Sequence, residues 1–498
     1  MSEDHASILA KTARGTGWVV AWRMITRTLG LLSTLVLVRL LAPADFGLVA
    51  LASSFAVSIE AFSWIGIEEG VIRHTEPSPA LYDTAFTLSV LRGIVIGLLI
   101  AAAAYPGAAF FGEPRLAHVV LALAASAFVE TLTNIGTVEF RRDFTFQKEF
   151  QLWLLPRIIS IVLAILLAAV FRTYWALIAG ILSNQVLRVV FSYRMHPYRP
   201  RLALGAWRQL AGYSAWNSAI AGLGVLRSRA DTILIGRVLD ATHVGYYSVG
   251  YEIAELPVTE LISPLTRAAF TGFAAAQRAE VDAGQTWLRL VAAMALLTLP
   301  AGIGMSAVAG PLIALAFGSG WNQAVPVVQV LGVAFCLTVF GMVSQTLFLA
   351  QGSMRTSAVI TLAAVLVRVV LLAALVPLYG LPGAAVAAAI GIVAEQAFSA
   401  AFAMRSLRLS AFRDVVPRVW RGVLATAIMA AVLSWTGLGW QGAPGNAAYG
   451  PVLALAGAAA AGVLTYGVAL AGLWWAGGRP EGPERDIATL ARLALRRV

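Results

Sequence analysis

Five arginines lie where hydrocarbon should surround them. Arg27, Arg188, Arg227, Arg229 and Arg368 sit well inside apolar runs, and Arg157 follows Pro156, where a kink can expose it. A guanidinium at the centre of a bilayer costs about 2.5–3.5 kcal/mol on insertion scales, so it faces a bundle interior or a wet cavity. Its planar fork of donors suits phosphate. Acids stand at matching depths: Glu60 opposite Arg27 in one hairpin, and Glu252 and Glu255 opposite Arg229 and Arg227 in another. Arg227 and Asp231 are also i, i+4 neighbours. Any one pair reads equally well as a brace between helices. The set reads as function, because apolar packing braces helices without the desolvation cost. The expectation is a central aqueous cavity, cationic on balance, that passes a diphosphate-bearing head group. Arg27, Arg157, Arg188, Arg227, Arg229 and Arg368 would line it. Glu60, Asp231, Glu252 and Glu255 would be charge partners or coupling groups.

Other polar signals carry less. Glu68 and Glu69 lie near a span end and read either as solvated or as gate or ion-coupling residues. Arg92 and Arg289 lie near helix ends and read as snorkelling side chains. Most tryptophans, Trp321 among them, fall near span ends and read as interfacial anchors. Tyr246 and Tyr247 read as sugar-stacking or belt residues. No cofactor is expected; the drive would be a coupling ion, H+ or Na+, or the membrane potential.

The elements that must position these groups are membrane helices. Of 498 residues, 59% are hydrophobic and 12% charged, which no soluble globular chain matches. Cys336 is the single cysteine and the five histidines show no metal-ligand spacing, so disulfides and metal sites are not expected. The net charge of +11 sits in alternate loops, a topology signal and not a nucleic-acid stripe. Met1–Arg14 is polar and the first apolar run lacks a small-residue cleavage pattern, so no cleaved signal is expected.

Apolar runs of about 20 residues, the length of a span, divide the chain into about 14 transmembrane helices. The first is Trp18–Leu40 and the last is Pro451–Trp475. Between them, Leu116–Val138 and Val325–Ala350 read as single spans, and Ser357–Leu378 and Pro382–Met404 as two. With these spans, 23 loop Lys and Arg residues fall on one side and 4 on the other, placing both termini in the cytoplasm.

The chain also repeats itself. A shift of 198 carries Trp18 to Trp216, Arg39 to Arg237 and Gly47 to Gly245. An even number of spans precedes the second copy, so the halves are parallel repeats about an axis normal to the membrane. The fold expected is all-α and polytopic. It has two pseudo-symmetric six-helix lobes, 1–200 and 201–410, around a central cavity, an accessory helix pair at 411–478, and an Arg-rich cytoplasmic tail at 479–498.

Several short stretches carry a resemblance: Arg39-Leu-Leu-Ala-Pro-Ala-Asp-Phe-Gly47, Phe110-Phe-Gly112 with Pro114, Arg141-Arg-Asp-Phe144, Asp231-Thr-Ile-Leu-Ile-Gly-Arg237, Gly245-Tyr-Tyr-Ser248, Phe317-Gly with Trp321, and Tyr379-Gly-Leu-Pro-Gly-Ala-Ala385. In order and spacing the chain resembles polysaccharide-repeat flippases of the multidrug/oligosaccharidyl-lipid/polysaccharide exporter superfamily, the colanic-acid and succinoglycan type above all. The resemblance implies a multi-pass protein of the bacterial inner membrane that moves undecaprenyl-diphosphate-linked oligosaccharide outward by alternating access. It implies the lipid bilayer and a polysaccharide polymerase or export machinery as partners, with no nucleic acid. Glu68-Glu69 depart from the small or apolar residues usual there.

Three rivals share features with this reading. A lipid II flippase has the same layout. A multidrug exporter of the same superfamily would prefer an acidic or apolar cavity. A periplasmic polyprenyl-glycan polymerase or ligase would need acids or histidine on a large outer loop, and Gly437–Tyr449 has neither.

Overall fold

The computed structural model describes residues 24–61, 67–74, 77–210, 214–278, 282–440 and 450–478, with Trp22, Gly482, Glu484 and Arg485. The expected amphipathic tail at 479–498 lies outside these residues apart from the last three. Among the described residues there are helices and turns and no strand.

Among the described residues seventeen α-helices follow one another, α1 spanning 24–40. In the first compact unit come α2 (Pro43–Glu60), α3 (Ile67–Arg73), α4 (Pro79–Phe111), α5 (Arg115–Thr131), α6 (Glu139–Arg142), α7 (Phe146–Phe171), α8 (Trp175–Met195), α9 (Trp207–Leu210) and α10 (Ser214–Val238). This unit ends at Gly245, within the first turns of α11 (Ala241–Arg278). The second unit holds the rest of α11, then α12 (Ala283–Ala316), α13 (Val325–Phe335), α14 (Thr338–Ala350), α15 (Met354–Ser406), α16 (Val416–Trp435) and α17 (Pro451–Ala476).

Among the described residues eight helices are long and apolar enough to cross a membrane, and up to ten spans result if each bent pair counts as one. The fourteen expected are not all among them. α10 carries Arg227, Arg229, Asp231 and Arg237 and so falls short on composition, although it has 25 residues. The helices that do qualify turn large apolar side chains outward. On α17, Leu453, Val463, Leu464 and Val468 are all more than 60% exposed, which only a lipid solvent tolerates.

Two expected spans are broken. Leu116–Val138 is interrupted after α5, and the chain bends by 70° before Ile135–Arg142. Asn134 caps the new turn: its Oδ1 accepts from the Gly136 N–H at 2.9 Å, and its own N–H donates to Ser192 on α8 at 3.0 Å. Val325–Ala350 bends by 49° between α13 and α14. Conversely, α15 runs through 53 residues but contains the expected turn, because Gly380 adopts φ 62°, ψ −137°, which helical backbone never does.

Within the first unit α2 packs on α5, α5 on α4 and α8, and α7 on α8. Leu37 of α1 and Leu41 just after it meet Ala168 and Ala176 of α7 and α8. In the second unit α12 is central, touching α13, α14, α16 and α17. Trp287 on α12 is fully buried, its indole N–H donating to Ser344 at 3.2 Å. Trp321, expected as an interfacial anchor, is 2% exposed and packs edge-on against Tyr246.

Candidate functional site

The first unit encloses a cavity of about 630 Å³. α2 brings Glu60 to it, α3 brings Glu68, α4 brings Arg92, α5 brings Glu130, α6 brings Arg141, α7 brings Glu149 and Trp153, and α8 brings Arg188. Val225 of α10 completes the wall. The break after α5 is what makes the room: it turns the chain aside at Asn134, which also lines the cavity.

Arg188 is the best-held group. Its Nη2 donates to Glu130 Oε1 at 2.6 Å, and Gln185 Nε2 donates to the other oxygen, Oε2, at 3.2 Å. The guanidinium lies 4.5 Å from the centre of the Trp153 ring, within the range of a cation–π contact. Arg188 is nearly buried while the Glu130 side chain is 47% exposed. The arginine is therefore held by an acid and an aromatic face, and its acid partner, steadied by Gln185, is open to the cavity. A second network sits nearby: Arg141 pairs with Glu149 through Nε and with Glu68 through Nη1 at 3.2 Å.

Of the residues expected from the sequence, the structure brings Glu60, Glu68 and Arg188 together here. Arg27 and Arg157 are elsewhere in the unit. Arg27 is half-buried on α1, and Arg157 reaches over α1, its Nη2 3.5 Å from where a Cβ on Gly30 would sit. Arg227 is exposed on α10; Arg229 is half-buried, with its Nε shielded and without a hydrogen bond; Asp231 is buried. Glu69 lies on α3, its side chain outside the described residues.

Glu252 and Glu255 belong to the second unit, on α11. In that unit Arg368 is buried, 3.4 Å from the Tyr247 hydroxyl, with its stem packed on Gly391. Tyr247 is 2% exposed and so is not presented for sugar stacking; Tyr246, half-buried, packs edge to face with Trp321.

This cavity within the first unit carries four carboxylates against three guanidiniums. Glu60, Glu68, Glu130 and Glu149 face Arg92, Arg141 and Arg188. Sequence reasoning counted the buried arginines and passed over Glu130 and Glu149, which stand near a helix end and in a first turn. Arg92, read as snorkelling, lines the cavity. Depth was the available signal: Glu130 and Arg188 each lie a short way inside the same face of adjacent spans.

The sequence profile of the polysaccharide biosynthesis protein family matches residues 36–326. The chain belongs to that family. Relatives agree. The Escherichia coli lipopolysaccharide biosynthesis protein WzxC is 26% identical over 70% of this chain and 72% of its own length. The Rhizobium meliloti succinoglycan biosynthesis transport protein ExoT is 23% identical over 66% of this chain and 67% of its own. The Bacillus subtilis teichuronic acid biosynthesis protein TuaB is 23% identical over 58% of this chain and 60% of its own.

Two solved structures share the fold of this family member. The lipid II flippase MurJ, in an inward closed conformation, superposes with TM-score 0.72 at 11% identity, over 91% of this chain and 98% of its own. An inward-facing multidrug resistance transporter of the MATE family superposes with TM-score 0.57 at 15% identity, over 77% and 94%. The protein is thus a multi-pass helical membrane protein of polysaccharide biosynthesis, as the short motifs implied.

Proposed function

We propose that this protein is a flippase. It carries undecaprenyl-diphosphate-linked oligosaccharide repeat units across the bacterial inner membrane by alternating access, with both termini in the cytoplasm. Its action is transport and not covalent chemistry, a reading supported by the relative ExoT, a succinoglycan biosynthesis transport protein.

The observation that carries this reading is the Glu130–Arg188–Trp153 arrangement. Glu130 occupies the guanidinium as an anion of the chain's own. A diphosphate is a better partner for the same fork, because it offers more oxygens and more charge. It can displace the half-exposed Glu130, while Trp153 keeps Arg188 in place. The desolvated guanidinium is then never left bare, which avoids the cost of an unpaired buried charge. Glu130, once released, is free to take a proton or a sodium ion, and that exchange is the simplest coupling the site allows. Release of the head group on the far side restores the pair. The lipid tail never enters the cavity and stays in the bilayer.

A deletion strain tests the proposal. Its lipid extract should accumulate a single diphosphate-linked repeat unit confined to the cytoplasmic leaflet, and the intact gene should clear it. Accumulation of repeat units facing the periplasm would instead identify a polymerase or ligase.

A further inference from the structure

Between α8 and α9 the chain runs extended from 196 to 204, without regular structure of its own. Its inward face is fastened at several points. The Tyr198 hydroxyl and the Arg201 N–H both donate to Asp83 Oδ1 at 2.7 Å. The Ala203 N–H donates to Thr87 Oγ1 at 2.8 Å and the Ala206 N–H to Thr84 Oγ1 at 3.1 Å. Asn134 Nδ2 donates to the Tyr198 carbonyl at 2.7 Å. His196 Nδ1 accepts from the Tyr198 N–H, which leaves Nε2–H to donate to Glu139 at 3.0 Å. Burial and the Asp83 contact both push the Tyr198 hydroxyl above its ordinary range, so it stays a donor. These bonds tie the strap to α4 and to the turn at Asn134 through its own backbone.

Its outward face is a different surface. Leu202 is 72% exposed, Trp207 50% and Leu204 45%. Arg199, Arg201 and Arg208 are exposed among them, but Arg199 serves the strap itself, its Nη1 donating to the His196 and Tyr198 carbonyls at 2.8 and 2.9 Å and its Nη2 to the Tyr193 carbonyl at 3.0 Å; Arg208 lies 5.7 Å from the Trp207 ring. The stretch 196–208 contains no Asp or Glu. Its height is fixed by what it joins: it begins where α8, an apolar span, ends, and it is fastened to the first turns of α4, where another span begins. It therefore lies level with the head groups.

We propose that residues 196–208 form a rigid docking surface for anionic phospholipid head groups, the leucines and Trp207 entering the interface and Arg201 and Arg208 pairing with phosphates. Leucine and tryptophan beside arginine is the composition of an interfacial segment, and anionic lipid supplies the complementary charge. The strap follows directly from α8, two turns beyond Arg188, so head-group occupancy bears on the helix that holds that residue. The inference stands apart from the flippase reading and can fail without it.

The single buried cysteine makes the test direct. The full chain with Cys336→Ala and Leu204→Cys is spin-labelled at position 204 and reconstituted into phosphatidylcholine vesicles, with and without phosphatidylglycerol. The expected result is a label more accessible to oxygen than to an aqueous nickel chelate. Phosphatidylglycerol should immobilise it further. Arg201→Gln and Arg208→Gln together should abolish that response, and lysine at both positions should restore it. A label freely reached by the nickel chelate in both lipids, or a glutamine variant that responds as the wild type does, would overturn the proposal.

Discussion

Gly47 and Gly245 pack reciprocally. A Cβ on Gly47 would fall 1.5 Å from the Ala241 carbonyl oxygen, and one on Gly245 would fall 2.1 Å from the Pro43 carbonyl oxygen. The same shift of 198 that carries Gly47 to Gly245 carries Pro43 to Ala241. Each copy of the repeat therefore offers the other the same carbonyl and the same gap, which is how a two-fold contact is built. The helix starts of α2 and α11 approach backbone to backbone, as only glycine permits.

Gly47→Ala and Gly245→Ala should each push those backbones apart. Overpacking of this kind costs about 1–3 kcal/mol, so each variant should melt several degrees below the wild type when purified. Gly304→Ala is the control, since no atom lies within 4 Å of the added methyl. Equal melting of all three would sink the contact.

Arg188→Ala should abolish export while the protein still inserts at its normal level. Arg188→Lys keeps the charge but loses the fork and should recover only part of the activity. Glu130→Gln removes the internal competitor and should bind inorganic pyrophosphate more tightly, by up to about tenfold, or about 1.4 kcal/mol. Calorimetry on purified protein reads this directly, and weaker binding by the glutamine variant would reject the displacement scheme.

Arg421 and Glu484 form a buried pair at 2.8 Å, with side chains 7% and 5% exposed. It ties α16 to the chain beyond α17. Glu484→Ala strands the arginine and should cost about 3–5 kcal/mol. Removing both charges, as in Arg421→Met with Glu484→Met, should recover most of that stability. A double variant as unstable as Glu484→Ala would show that the pair is not the source.

Gly380 sits at φ 62°, ψ −137° in the turn within α15. An alanine there should be strained by about 1–3 kcal/mol and lower the yield of folded protein, with no effect on which lipid is carried. Wild-type yield and melting temperature in Gly380→Ala would show that the turn absorbs a side chain freely.

The sequence foretold the helices and not the meeting of their charges. Apolar run length made the membrane fold plain, and the Gly47–Gly245 correspondence was visible in the repeat. The bend at Asn134 was not, because its cap draws on Ser192, 58 residues away. Arg188 was singled out by its depth alone. Its partner Glu130 went unnoticed because hairpin matching pairs a helix with its chain neighbour, whereas α5 and α8 pack across two intervening helices. Trp321 was misread for a similar reason: a tryptophan near a span end can face lipid or fill the core, and only the packing decides.

The most direct measurement is flipping in a purified system. The protein is reconstituted into vesicles with a fluorescent polyprenyl-diphosphate oligosaccharide, and an impermeant lectin added outside reports which leaflet holds it. Wild-type protein should bring the inner-leaflet pool to the lectin under an imposed ion gradient or potential, and Arg188→Ala protein should not. Exchange no faster than in protein-free vesicles, across proton, sodium and electrical gradients alike, would contradict the account.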